Sequence, residues 1–332
     1  MGLVSEDHVL SAIARFFPNR ADDPRLLVER ADDCAVLRID KPLCVSTDWF
    51  MEEVHFRRKY FSPADIGWKA LAVNLSDLAA CGAVPVGFSL GLALPGDTPM
   101  EFLHGFLTGM AELSELTDTP LTGGDLSKSD RLNICITIFG EAASPLRRSR
   151  AKPGDALFLV GQVGLARTGL MRLEAEGTSA LKTYPEACAA HLRPFPRLDE
   201  GRILHDLALK HPEARIGLMD VSDGLARDVP RLVGLKPSGS ASRREKAPGA
   251  DIALPPPHPE IARYCAANEL NVDRYRLNGG EDYALVGSCA RDALSLVLEA
   301  LPEACELGKV TEKTGLSCEG QPIEEGFDHF EL

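Results

Sequence analysis

A mixed α/β chain of two domains is what this sequence predicts, and three observations carry the prediction. Apolar, β-prone runs recur at Cys34–Ile39, Leu43–Thr47, Val86–Leu94, Leu132–Phe139, Ala156–Val160, Ile216–Val221 and Tyr283–Val286, with helical patterns between them. The length of 332 residues suits two domains of ordinary size, each with a core of its own. A basic joint marked by Pro and Gly, Arg147-Arg148-Ser149-Arg150-Ala151-Lys152-Pro153-Gly154-Asp155, separates two strand-rich regions. The boundary is set around residue 145, giving domains 1–145 and 146–332.

Along the chain, the first two strand runs lead into one well-marked helix, Pro63–Cys81. Ser62 is placed to cap it, Pro63 occupies its first position, Asp65 complements the dipole, and Gly82 is a natural stop. Its residues are apolar almost all round, so burial is expected. Asp77 is then an anomaly. At 3.6 residues per turn it shares a face with Ile66, Ala70 and Val73, where a carboxylate is costly unless a cation or donors meet it. The uncharged run Leu78–Leu94 falls short of the roughly 20 apolar residues that span a bilayer and is broken by Gly82, Pro85, Gly87 and Gly91. It reads as a helix end, a turn and a buried strand. Lys236–Gly249, rich in Ser, Gly, Lys and Arg, reads as an exposed loop.

Composition narrows the function. Forty-nine acidic against 36 basic residues give a formal charge of −13, which argues against broad binding to nucleic acid or anionic membrane. A polyanionic substrate held through metal ions remains compatible. Nine scattered cysteines, none spaced C-x-x-C, read as reduced thiols. The segment Met1–Asp7 lacks the basic and apolar regions of a secretory signal, so a cytoplasmic protein is expected.

Neither G-x-x-x-x-G-K-[ST] nor G-x-G-x-x-G occurs, nor the motifs of protein kinases. Aspartate instead recurs in apolar or Gly-rich settings: Asp32-Asp33, Ser46-Thr47-Asp48, Ser76-Asp77, Gly123-Gly124-Asp125, Asp220-Val221-Ser222-Asp223-Gly224 and Gly280-Glu281-Asp282. Each alone is compatible with a turn or a helix cap, and Asp223 can simply cap the helix that follows. Together they suit Mg²⁺, which takes oxygen ligands, typically one or two carboxylates per ion plus substrate phosphates. The residues alone therefore point to a metal-dependent enzyme acting on phosphates.

These motifs, in this order, resemble the thiamine-monophosphate kinase family, within the superfamily that includes aminoimidazole ribonucleotide synthetase and selenophosphate synthetase. The resemblance runs from Ala31-Asp32-Asp33-Cys34 through Val54-His55-Phe56 and the specific block Lys69-Ala70-Leu71-Ala72-Val73-Asn74-Leu75-Ser76-Asp77. It continues through Gly123-Gly124-Asp125, Arg148 to Asp155, Asp220 to Leu225 and Gly279 to Tyr283, and ends at Gly326-Phe327-Asp328. The resemblance implies transfer of the γ-phosphate of ATP to thiamine monophosphate, giving thiamine diphosphate. It implies several Mg²⁺ ions held by Asp33, Ser46, Thr47, Asp48, Asp77, Asp125, Asp220 and Asp223. Gly124, Asp125, Arg148 and Ser222 fall where the family contacts ATP, and His55, Glu281 and Phe327 where it contacts thiamine phosphate.

No side chain is assigned as an obligatory base. Register with the family motif favours Asp33 over Asp32. The implied fold is that of aminoimidazole ribonucleotide synthetase, with the N-terminal sheet pairing across a homodimer and a C-terminal α/β domain beside it. Two other readings stay open: a different ATP-dependent enzyme of the superfamily, and a non-catalytic nucleotide-binding paralogue. The selenophosphate synthetase reading wants a reactive N-terminal cysteine, and the first here is Cys34.

Overall fold

The computed structural model describes residues 5–20, 22–30, 32–148, 150–234 and 248–323. Those within 1–78, 83–143 and 192–196 form one unit, and those within 79–82, 144–191 and 197–332 the other. The first unit carries α1 (Glu6–Phe16), β1 (Leu26–Val28), β2 (Val36–Leu37), β3 (Leu43–Met51), α2 (Pro63–Cys81, its last turn counted with the second unit), β4 (Val84–Leu94), α3 (Met100–Leu116), β5 (Leu121–Lys128) and β6 (Asn133–Glu141). Four of its strands make a sheet in the order β3-β6-β4-β5, antiparallel except for the parallel β4–β5 pair.

Helix α2 has the predicted bounds, and its start is a reciprocal capping box. The Ser62 hydroxyl accepts from the Asp65 N–H at 3.2 Å and donates to the Asp65 carboxylate at 2.7 Å, while that carboxylate accepts from the Ser62 N–H at 3.3 Å. Burial is nearly continuous from Ile66 to Ala80, interrupted only at Asp77. Strand β3 runs four residues past its predicted end. It alternates strictly: Ser46, Asp48 and Phe50 turn inward, and Leu43, Val45, Thr47, Trp49 and Met51 are exposed.

In the second unit the elements are β7 (Ala156–Val160), α4 (Leu165–Glu176), α5 (Pro185–Leu192, its last residue counted with the first unit), α6 (Leu198–Lys210), β8 (Gly217–Asp220), α7 (Leu225–Leu232), β9 (Gly249–Ile252), α8 (Pro259–Ala267), α9 (Val272–Leu277), β10 (Leu285–Cys289), α10 (Leu294–Ala300), β11 (Ala304–Thr311), β12 (Leu316–Cys318) and β13 (Gln321–Ile323). Its seven-stranded sheet has the order β13-β12-β9-β11-β7-β10-β8. The continuous apolar run of β7 fits its central place, because both faces are covered. Ala156, Phe158 and Val160 pack with Leu204 of α6 and Val297 of α10, whereas Leu157 and Leu159 pack with Leu225, Val229 and Leu232 of α7. The strand expected from Tyr283 begins at Leu285, since Glu281 (φ 62°) and Tyr283 (φ 49°) hold a left-handed turn ahead of it.

The predicted loop Lys236–Gly249 falls almost wholly outside the described residues, as does Phe327. All nine cysteines are free thiols. No helix among the described residues is long and apolar enough to cross a membrane.

Candidate active site

In the first unit the inward face of β3 meets the polar edge of α2. The Ser46 hydroxyl donates to the Asp77 carboxylate, and the Asp48 backbone N–H donates to the Asn74 side-chain oxygen at 3.2 Å. Asp77 is half-buried, at the margin of the apolar surface, and Ser46 supplies the donor that its position demands. Asp48 faces Asp77. Burial, then the charge of Asp77 and a hydrogen bond with it, push the Asp48 carboxyl up to about 6. Two carboxylates and a hydroxyl thus share one place with oxygen donors only, a set that fits a hard cation such as Mg²⁺.

The remaining predicted residues of this unit are dispersed. The Thr47 side chain lies on the opposite face of β3, 2.9 Å from the Thr137 hydroxyl, as strand alternation requires. Asp33 is exposed, and its N–H donates to the Asp32 carboxylate at 2.8 Å, so Asp32 fills a turn role there. Gly124 and Asp125 lie exposed on β5, opposite Leu90 and Gly91 of β4. A Cβ at Gly124 would stand 2.0 Å from the Leu90 carbonyl oxygen, so only glycine permits that pairing. His55 accepts from the Met51 N–H at 3.1 Å through Nδ1 and stacks on Phe50. A neutral ring so held carries its proton on Nε2.

The second unit gathers its candidates where β8 ends. Asp220 is the buried last residue of β8, and Ser222 and Asp223 lead into α7. Gly224, at φ 96°, lies so close to the next loop that a Cβ there would stand 2.6 Å from the Gly279 carbonyl oxygen. That approach lets the Glu281 N–H donate to the Ser222 carbonyl at 2.9 Å. Asp223 does not stand open: Arg231 of α7 donates to it, and the Arg227 guanidinium lies 3.9 Å away. Arg231 also reaches Asp228 at 3.1 Å, and Asp228 accepts from the Asp223 N–H at 2.9 Å. Burial pushes the Asp228 carboxyl up to about 6, against that N–H and the guanidinium, with the Asp223 charge adding to the rise. Arg148 is exposed on a bend. Among the described residues no three His, Cys, Asp or Glu side chains converge in a metal-holding group.

Sequence reasoning did not single out Asp228, Arg231 or His191, and it noted Asp282 only as one of the recurring aspartates, in Gly280-Glu281-Asp282. Asp228 and Arg231 carry a local signal, an acid and a base three apart within a short helix after Asp-Gly. His191 carries none: its Nδ1 lies 3.3 Å from Oε2 of Glu281, a contact made by the fold alone. Asp282 accepts from the Gly164 N–H at 2.6 Å and the Ala166 N–H at 2.9 Å at the start of α4.

Residues 31–142 match the family model of the AIR synthase related protein, N-terminal domain. The thiamine-monophosphate kinase of Synechococcus elongatus is 37% identical over 320 residues, covering 91% of each chain. That of Escherichia coli K12 is 36% identical over 338 residues, covering 96% of this chain and 97% of its own. A solved structure of AaThiL complexed with AMPPCP and TMP superimposes with a TM-score of 0.75 at 29% identity, over 98% of this chain and 97% of that one. With near-complete coverage in sequence and in structure, the chain belongs to the thiamine-monophosphate kinase family of enzymes and has their AIR synthase-like fold.

Proposed function

We propose that this chain transfers the γ-phosphoryl group of ATP to thiamine monophosphate, with residues 1–145 serving ATP and metal binding and dimerisation, and residues 146–332 completing the enzyme. The observation that carries the reading is the likeness, over nearly the whole chain, to a solved relative holding AMPPCP and TMP. The acceptor is a phosphate oxygen, already ionised near neutral pH, so no general base is needed and positioning with electrostatics does the work.

Asp48 and Asp77, with Ser46 beside them, are the described residues best suited to hold Mg²⁺, and Asp33, Asp125, Asp220 and Asp223 are the further candidates. Bound there, the metal would screen the charge of the phosphates as donor and acceptor approach. The chain's own groups then bind and orient. Gly124 and Ser222 offer backbone or hydroxyl contacts to ATP, and Arg148 a fork of donors for phosphate. His55 with an Nε2 proton donates, and the Glu281 carboxylate accepts from the amino group of the aminopyrimidine ring. Phe327 is the candidate for stacking on a ring, where a cationic thiazolium favours an aromatic face.

A homodimer is part of this reading. The outward face of β3 exposes Leu43, Val45, Trp49 and Met51 at 48%, 55%, 57% and 36%, an apolar row that pairing with a second copy would cover. Sedimentation at twice the chain mass is expected. The reaction is tested by following product from ATP and Mg²⁺ with thiamine phosphate, with thiamine, and with no acceptor. Thiamine diphosphate is expected from thiamine phosphate alone. Mg²⁺-dependent ATP binding without turnover would leave the fold and metal site in place and move the chain to a sister activity or a non-catalytic role.

A further inference from the structure

Glu281 is held by its backbone to an unusual degree. It occupies the left-handed region at φ 62°, where a side chain is tolerated only if its surroundings enforce it. Enforcement comes from both sides. The Glu281 N–H donates to the Ser222 carbonyl at 2.9 Å and the Tyr283 N–H to the Val221 carbonyl at 3.0 Å. Between them the Asp282 carboxylate accepts from Gly164 and Ala166 at the start of α4. These bonds fix where the Glu281 side chain leaves the backbone, but not its own torsions, and a flexible carboxylate makes a poor acceptor for a ligand.

His191 supplies what is missing. Its ring, on α5, is 1% exposed and so cannot swing, and its Nδ1 lies 3.3 Å from Oε2 of Glu281. The Glu281 side chain is 28% exposed, so a ligand can reach the carboxylate while one oxygen is engaged by the imidazole. We propose that His191 is a positioning residue that aims the Glu281 carboxylate at the amino-bearing ring of the acceptor substrate. The role rests on the reading that Glu281 contacts thiamine phosphate. His191 itself touches neither substrate nor the transferred group, so it acts on acceptor affinity and spares ATP.

Steady-state kinetics of the purified enzyme, with each substrate varied in turn, test this. His191→Leu is expected to raise KM for thiamine phosphate about ten-fold, the scale of losing one close polar contact to a charged group, with KM for ATP within two-fold of wild type. His191→Asn, whose amide nitrogen falls near the place of Nδ1, is expected to restore most of the loss, and His191→Gln, whose amide falls near Nε2, is not. His191→Leu combined with Glu281→Gln should be no worse than Glu281→Gln alone.

If Glu281→Gln raises KM for thiamine phosphate but His191→Leu does not, the positioning role is overturned and the reading of Glu281 stands. If Glu281→Gln itself leaves that KM unchanged, the reading of Glu281 falls and the inference with it. Equal losses for both substrates, or losses that add in the double variant, assign His191 a purely structural part and overturn the proposal. Should the Leu variant fail to fold, the Asn and Gln pair decides, since only Asn is expected to keep the KM low.

Discussion

Carboxylates meet in both units, and the company they keep differs. Where β3 faces α2, Asp48 meets Asp77, like charge against like, with the Ser46 hydroxyl as donor. Where β8 runs into α7, Asp223 and Asp228 meet Arg231, which donates to both. Asp48 and Asp228 both have carboxyls raised to about 6, and each has a neighbouring aspartate charge that adds to burial, but for Asp228 the Asp223 N–H and the Arg231 guanidinium oppose the rise, whereas nothing comparable opposes it for Asp48. A like-charged pair taken partly out of water calls for a proton or a cation at neutral pH. The pair beside α7 brings its cation with it. The difference teaches that an Asp-rich motif in the sequence does not say whether the fold compensates its charge from within or leaves it to be neutralised from outside.

The largest effect should come from breaking the first pair. Asp77→Asn keeps an acceptor for Ser46 but removes one charge, and kcat with saturating Mg²⁺ is expected to fall about a thousand-fold, roughly 4 kcal/mol of barrier. In EDTA the same variant should be more stable than wild type by about 1 kcal/mol, or roughly 3 °C in Tm, because the like-charge repulsion is gone. Turnover assays and thermal melts check the two halves. Near-normal activity would end the view that this pair holds the metal, and an unchanged melt would show the two charges already compensated.

The second pair is sharpened at Arg231. Arg231→Met leaves the fully buried Asp228 without its guanidinium, and a loss of about 3 kcal/mol is expected in urea unfolding, recovered in large part by adding Asp228→Asn. The same change frees Asp223 of a competitor. If Asp223 is a metal ligand, the Mg²⁺ concentration for half-maximal activity should drop several-fold, and an unchanged Mg²⁺ dependence would remove Asp223 from the ligand set.

How much of this was legible in the sequence depends on range. Helix α2 was readable because its signals are local: Ser62, Pro63, Asp65 and Gly82 mark its ends, and its apolar surface declares burial. Strand β5 was not, because Leu121-Thr122-Gly123-Gly124-Asp125 has the composition of a turn and becomes a strand only by lying beside β4. The aspartates could be picked out one by one, yet their partners could not. Asp48 is set against Asp77 by the packing of a strand on a helix, and Thr47 is turned away by the same strand's alternation. His191 and Glu281 come together from distant parts of the chain through contacts that no spacing rule encodes.

The smallest expected effect concerns a carboxylate that belongs to neither pair. The half-buried Asp282 side chain reaches from the turn before β10 to the start of α4 and accepts from the Gly164, Leu165 and Ala166 N–H groups, which favour the anion, yet desolvation outweighs them and pushes its carboxyl up to about 7. The folded state therefore holds this proton more tightly than the unfolded chain, where an ordinary aspartate releases it near 4. Its contribution to stability is full below about 4, shrinks as the pH rises, and is lost once the pH has passed through about 7. Asp282→Asn removes the titration while keeping an oxygen acceptor for the helix. Between pH 5 and pH 8, wild type is expected to lose about 1–2 kcal/mol relative to this variant, measured by urea unfolding at each pH. Parallel pH profiles for the two proteins would mean that the backbone donors hold Asp282 ionised throughout, and the turn that carries Glu281 would then be anchored by a permanent charge at the start of α4.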